Sequence, residues 1–209
     1  MDIALLLFPG VTPLDAIGPF EILGRLPGAR IRTVAHQPGP MRTQGGSLAL
    51  LADHALADIS HADLLLVPGG PGADAAAADP QITQWVARLH QTTQWTTSVC
   101  TGALILGGAG LLDGVPATTH WRAMDNLAHM GALPRTARMV EHGRIITAAG
   151  VSAGLDMALE LAQRLAGREI AEAIQLALEY TPQPPLNAGD ITTAPEDRIH
   201  RARHNLNRP

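Results

Sequence analysis

Along this chain, continuous apolar runs alternate with segments whose apolar residues recur at helical spacing. Ile3 to Phe8 and Ala62 to Val67 are apolar throughout, the pattern of strands covered on both faces. Ile31 to Ala35 and Thr96 to Val99 read as two more strands. Helical spacing is expected over Ala16 to Leu26, Asp79-Pro80 to His90, Thr101 to Leu112, Arg122 to Met130, Val151 to Leu165 and Glu169 to Tyr180, with a break at Gly167. Asp79 followed by Pro80 is a helix start, because a side-chain acceptor caps the first turn and proline has no N–H to leave unbonded there. Gly39 to Gly46 reads as turn-rich connection, and Ser47 to Ala52 as a short strand in a hairpin-like excursion. Ala117 to Trp121 is expected as a short strand, and Arg138 to Val140 with Arg144 to Ala148 as a β-hairpin. Thr181 to Pro195 is rich in Pro, Asn, Gly and Thr, and so is an irregular surface strap, a lid or a dimer contact. Arg198 to Arg208 is expected as a solvated terminal helix.

This alternation predicts an α/β three-layer sandwich with a mostly parallel central sheet. At 209 residues the chain suits one domain over 1–209, with about 181–209 as strap and tail. An apolar share of 46% with 16% charged residues is globular. A net charge of -4 supplies no basic face for nucleic acid. The chain has no lysine, which excludes Schiff-base chemistry and the phosphate-binding lysine of a Walker loop. The N-terminus lacks a signal-peptide pattern, no apolar run reaches membrane-spanning length, and one cysteine makes no internal disulfide. The expectation is a cytoplasmic protein that contacts neither membrane nor nucleic acid.

That one cysteine is the leading candidate for chemistry. Cys100 ends a β-branched run and is followed by Thr101-Gly102 and an apolar helical segment, so a sharp strand-to-helix turn presents the thiol at its tip. Backbone N–H groups at a helix start favour a thiolate; the alternative is a buried structural cysteine. Asp15 follows the first strand, where it either caps a helix or acts as an acid. Pro68-Gly69-Gly70-Pro71-Gly72 follows the Ala62 to Val67 strand, and its glycines let N–H groups approach a developing anion, although a plain tight turn fits too. As a dinucleotide fingerprint it fails, with Ala75 where the third glycine belongs. Sites gather at the carboxyl ends of parallel strands, so Asp15, Gly70 and Cys100 should converge. Gly70 and Thr101 are the candidate N–H donors to substrate or oxyanion, and Thr101 adds a hydroxyl beside the sulfur. His120 is the only histidine considered as a partner, against a role satisfying buried backbone groups. His200 and His204 lack a third ligand, so neither a metal nor a cofactor is expected.

The stretches L-L-F-P near the start, L-D followed by G-P at 14 to 19, V-P-G-G at 67 to 70, S-V-C-T-G at 98 to 102, G-L-L-D-G at 110 to 114 and A-T-T-H-W at 117 to 121 resemble the ThiJ/PfpI superfamily. That family is flavodoxin-like and similar in fold to class I glutamine amidotransferases. With Asp15 and the later L-E-Y-x-P-x-P-P-x-N-A-G stretch at 178 to 189, the chain looks like the isocyanide hydratases within it. The resemblance implies a lyase that adds water to an isocyanide, with Cys100 as nucleophile, Asp15 as general acid and base, Thr101 positioning water, and a homodimer. Protease-like members carry histidine after the cysteine, where this chain has Thr101. Glyoxalase- and deglycase-like members usually have glutamate where this chain has Asp15, one methylene shorter. The other readings are such an activity, or a ligand- or redox-sensing protein without turnover; the sensing regulators carry a helix-turn-helix region after this domain, and none is expected here.

Overall fold

The computed structural model describes residues 1–204. In chain order its elements are β1 (Asp2–Leu6), α1 (Pro13–Leu23), β2 (Arg30–Ala35), β3 (Gly39–Arg42), β4 (Ala49–Ala52), β5 (His54–Ala55), β6 (Leu64–Val67), α2 (Ala73–Ala78), α3 (Pro80–His90), β7 (Trp95–Val99) and α4 (Gly102–Gly108). There follow β8 (Pro116–Ala117), α5 (Met124–His129), β9 (Leu133–Pro134), β10 (Met139–His142), β11 (Ile145–Ala148), α6 (Ala153–Ala166), α7 (Arg168–Ala177) and α8 (Glu196–His204). The main sheet has seven strands in the order β10-β11-β7-β6-β1-β2-β5. All its pairings are parallel except β10 with β11.

The two-residue period of a strand explains why the apolar runs are continuous. Ile3, Leu5 and Leu7 point into the core under α1 and α6, while Ala4, Leu6 and Phe8 point into the opposite core with Trp85 of α3 and Leu104 of α4. Leu64 and Leu66 of β6 join the first core, Leu65 and Val67 the second. The result is the three-layer, mostly parallel α/β architecture expected. The chain runs outward from β1 to β2 in one direction and from β6 to β7 in the other, so the strand order switches between β1 and β6. That is where open α/β sheets keep their crevices.

Several local expectations are corrected. Helix α1 starts at Pro13, three residues earlier than expected, because the proline fits the first helical position; Asp15 therefore sits inside the first turn. Gly39 to Arg42 is a strand, antiparallel to β4, despite Pro40; a two-stranded ribbon tolerates proline where no ladder donor is needed. The alanine run of α2 has no amphipathic period to signal it. Helix α4 stops at Gly108, four residues before Leu112, and Gly110 follows in the left-handed region. Of the expected Ala117 to Trp121 strand only Ala117 pairs, with Pro134, beside the Pro116–Leu133 pair, because the residues after it turn inward: the Thr118 N–H donates to the Thr147 hydroxyl and the Thr119 hydroxyl to the Cys100 carbonyl. The terminal helix runs from Glu196 to His204; residues 205–208 of the expected span lie outside the described residues.

Candidate active site

Three strand ends deliver the site. Cys100 leaves β7 with φ 58, a left-handed conformation that costs a non-glycine residue about 1–2 kcal/mol. Such strain persists only where surrounding bonds enforce it. Here the Cys100 N–H is shared between the carbonyls of Ala148 (3.1 Å) and Ala149 (2.8 Å), and the Thr119 hydroxyl donates to the Cys100 carbonyl at 2.8 Å. The strand-turn-helix elbow read from the sequence is therefore present, and α4 begins two residues later. The turn needs glycine next: a Cβ on Gly102 would lie 2.2 Å from the Val67 carbonyl oxygen.

Asp15 has no exposed surface, and its Oδ2 accepts the Gly69 N–H at 3.0 Å. It caps nothing: α1 has no side-chain cap, and the Thr12 hydroxyl at its start donates instead to Gln44 (2.7 Å). Asp15 Oδ1 has no hydrogen-bond partner of ordinary geometry among the described residues. The polar group acting on this carboxyl besides Gly69 is the Cys100 thiol.

Burial and this proximity set the charges. Burial pushes Asp15 up from 3.8 to about 6, against the Gly69 N–H and the thiol, which pull it down. Burial first, and then the Asp15 charge, pushes Cys100 up to about 12, against the Thr101 N–H and hydroxyl. Cys100 is 5% exposed. The pair therefore holds one proton between about pH 6 and about 12, resting as thiol and carboxylate. The helix-start donors that favour a thiolate are thus outweighed by desolvation, and sulfur keeps the proton at rest.

The glycine turn is used differently from the expectation. The Gly70 N–H donates to the Thr101 hydroxyl (2.8 Å), which donates in turn to the Gly70 carbonyl (3.1 Å). Gly70, at φ 138, is pinned by close approach: a Cβ there would lie 2.3 Å from the Gly10 carbonyl oxygen. Of the two N–H donors considered, only that of Thr101 acts on the sulfur. Gly69 and Thr119 were missed; Gly69 was visible beside Gly70 in the glycine turn, and Thr119 in A-T-T-H-W, where His120 drew attention.

His120 turns its Nδ1 to the Arg122 N–H (3.4 Å), capping a short 3-10 turn at Trp121 to Ala123. Burial, with Arg122 nearby, lowers its pKa, and its ring lies against Gly150. The groups acting on the thiol are Asp15 and Thr101, not this imidazole. Val151 packs on the same cluster as Cys100. His200 and His204 stack at 4.6 Å on α8. Among the described residues, no group of three His, Cys, Asp or Glu is placed to hold a metal.

A buried cysteine elbow facing a buried carboxyl, at the switch point of a parallel sheet, defines a thiol-acid site of the flavodoxin-like α/β class. The DJ-1/PfpI family model matches residues 1–164, and the chain belongs to that family. The isonitrile hydratase of Pseudomonas putida is 40% identical over 203 residues, 97% of this chain and 89% of that protein. The crystal structure of a ThiJ/PfpI family protein from Pseudomonas syringae superposes with a TM-score of 0.92 at 41% identity, covering 97% of this chain and 84% of that one. A helix-turn-helix transcriptional regulator of Pseudomonas aeruginosa, CdhR, is 31% identical over 179 residues, 81% of this chain but 52% of the regulator.

Proposed function

We propose that this chain is an isocyanide (isonitrile) hydratase, a lyase converting R–NC and water to an N-substituted formamide. The observation carrying the reading is the Cys100–Asp15 pair, which shares one proton in a desolvated elbow, in a chain 40% identical to an isonitrile hydratase. Isocyanide hydration needs a nucleophile for the terminal carbon and a group that passes one proton back and forth.

In the first step the Asp15 carboxylate takes the Cys100 proton as Sγ bonds to the terminal carbon of the isocyanide. Asp15 then returns that proton to the same carbon, giving a thioimidate, R–N=CH–S–Cys100, and a carboxylate again. Water, positioned by the Thr101 hydroxyl that Gly70 holds, gives a proton to Asp15 and adds to the carbon. Proton return from Asp15 to nitrogen and collapse of the adduct break the C–S bond. The hydroxyl proton passes to sulfur by way of the carboxylate, releasing the formamide and the resting thiol. Atoms and charge close on R–NC + H2O → R–NH–CHO. General acid-base transfer of this kind contributes about 10²- to 10⁴-fold.

The substrate is thus a small molecule with an apolar body and one reactive carbon, and no cofactor takes part. The chain works as one domain, assembles as a homodimer and acts in the cytoplasm. Among the described residues no helix is long and apolar enough to cross a membrane. The test follows formamide release from an aryl isocyanide by wild type and by Cys100→Ala. Turnover is expected for the first and none above the uncatalysed rate for the second. No turnover by wild type across several isocyanides overturns the reading, and turnover surviving Cys100→Ala overturns the mechanism.

A further inference from the structure

Only two non-glycine residues among the described residues have left-handed φ, Cys100 at 58 and Glu179 at 47. Hydrogen bonds join them. The Cys100 N–H is held by the Ala149 carbonyl (2.8 Å), and the Ala149 N–H by the Arg138 carbonyl (2.9 Å). The Arg138 guanidinium pairs with Asp156 Oδ2 on the first turn of α6 and reaches Ser152, at the start of that helix, at 3.4 Å. The Tyr180 hydroxyl donates to the other Asp156 oxygen, Oδ1, at 2.6 Å. Glu179 is the residue that turns the chain after α7, with the Tyr180 N–H and carbonyl both clamped to Gln175, at 3.1 Å each. Helix ends of this form normally use glycine, so a glutamate in the left-handed region there is strain, on the order of 1 kcal/mol. Its result is to aim Tyr180 back at α6.

We infer that Tyr180 is a positioning residue for the Cys100 elbow, acting through Asp156 and Arg138 on the 149–152 turn that holds the Cys100 N–H. Nothing in the reaction requires a phenol some distance along the chain, yet the strap begins by spending strain to dock one. The charged groups facing the phenol are Asp156 and Arg138. If the 149–152 turn relaxes, the elbow loses the shorter of the two acceptors on the Cys100 N–H, that of Ala149, and Sγ drifts from the carboxylate that takes its proton. Proton transfer from sulfur to that carboxylate is then impaired, and with it the reactive form of the pair, thiolate beside protonated acid. The kinetic part of this inference rests on the hydratase reading; the thiol reactivity does not.

The experiment compares wild type, Tyr180→Phe and Asp156→Asn in the full chain by the rate of Cys100 alkylation with iodoacetamide across pH. In wild type the reactive thiolate with protonated Asp15 has the same proton count as the resting pair, so the rate should rise through about pH 6 and then level off. Both variants are expected to lower that level about threefold to tenfold, and kcat for isocyanide by a similar factor at unchanged KM, because small displacements in an oriented site are costly. Tyr180 is the only tyrosine, so its ultraviolet titration reports on its docking alone; Asp156→Asn should bring that titration down toward 10. A Tyr180→Phe protein with the wild-type alkylation level, whatever its melting temperature, overturns the inference. Absence of hydratase activity in wild type would leave the alkylation comparison intact, so the two failures are distinguishable.

Discussion

At the scale of single residues, Asp15 carries a measurable cost. Its folded pKa of about 6 lies above the ordinary 3.8, so the folded state binds its proton more tightly than the unfolded chain does. The stability this supplies is complete below about pH 4 and is lost as pH rises through about 6. At pH 7 the buried carboxylate costs about 3 kcal/mol relative to an uncharged side chain of the same shape. Asp15→Asn keeps a carbonyl oxygen for the Gly69 N–H and loses the charge. It should therefore be more stable than wild type at pH 7 by up to that amount, with the gap closing toward pH 4, as read from denaturant midpoints. An equal gap at both pH values would mean that the carboxyl is not desolvated. Retaining a costly carboxylate is what a proton-transfer role demands and what a helix cap does not.

At the scale of elements, the elbow is a contact problem more than a sequence motif. The β7–α4 turn packs against the end of β6 so closely that Gly102 has backbone, not flexible side chains, where a Cβ would be. Gly102→Ala should destabilise by about 3 kcal/mol or more and misplace the thiol, since rigid overpacking is not relieved by rotamer changes. A loss below 1 kcal/mol in urea unfolding would show that the turn yields. This level was only partly legible in the chain. The apolar strands, the elbow and the convergence of Asp15, Gly70 and Cys100 were readable because burial on both faces and strand-end geometry leave residue patterns. The partners within the site were not. That the Gly70 N–H would be spent on Thr101, and that Thr119 rather than His120 would serve the elbow, depends on which loop packs on which. Local spacing does not encode that. Nor did it encode the order of titration, which burial decides.

At the scale of the whole molecule, the exposed positions raise the question of assembly. Leu14, Ile17 and Phe20 of α1, the helix that carries Asp15, are between 37% and 45% exposed, and Leu186 in the strap is 79% exposed. Such surface fits the homodimer proposed above, and sedimentation should give about twice the 22.0 kDa chain mass at micromolar concentration. A mass of one chain at that concentration would count against it. Similarity to a regulator of which this chain spans 52% shows that the fold also occurs within longer proteins.

The most direct measurement is therefore the pH dependence of kcat/KM for formamide formation from an aryl isocyanide, in wild type and Asp15→Asn. Wild type should rise tenfold per pH unit to an inflection at about 6 and stay level above it, as the pair's single proton dictates. Asp15→Asn should lose about a hundredfold or more and show no inflection there. A wild-type profile without that limb, or an Asp15→Asn enzyme as fast as wild type, would contradict the shared-proton account.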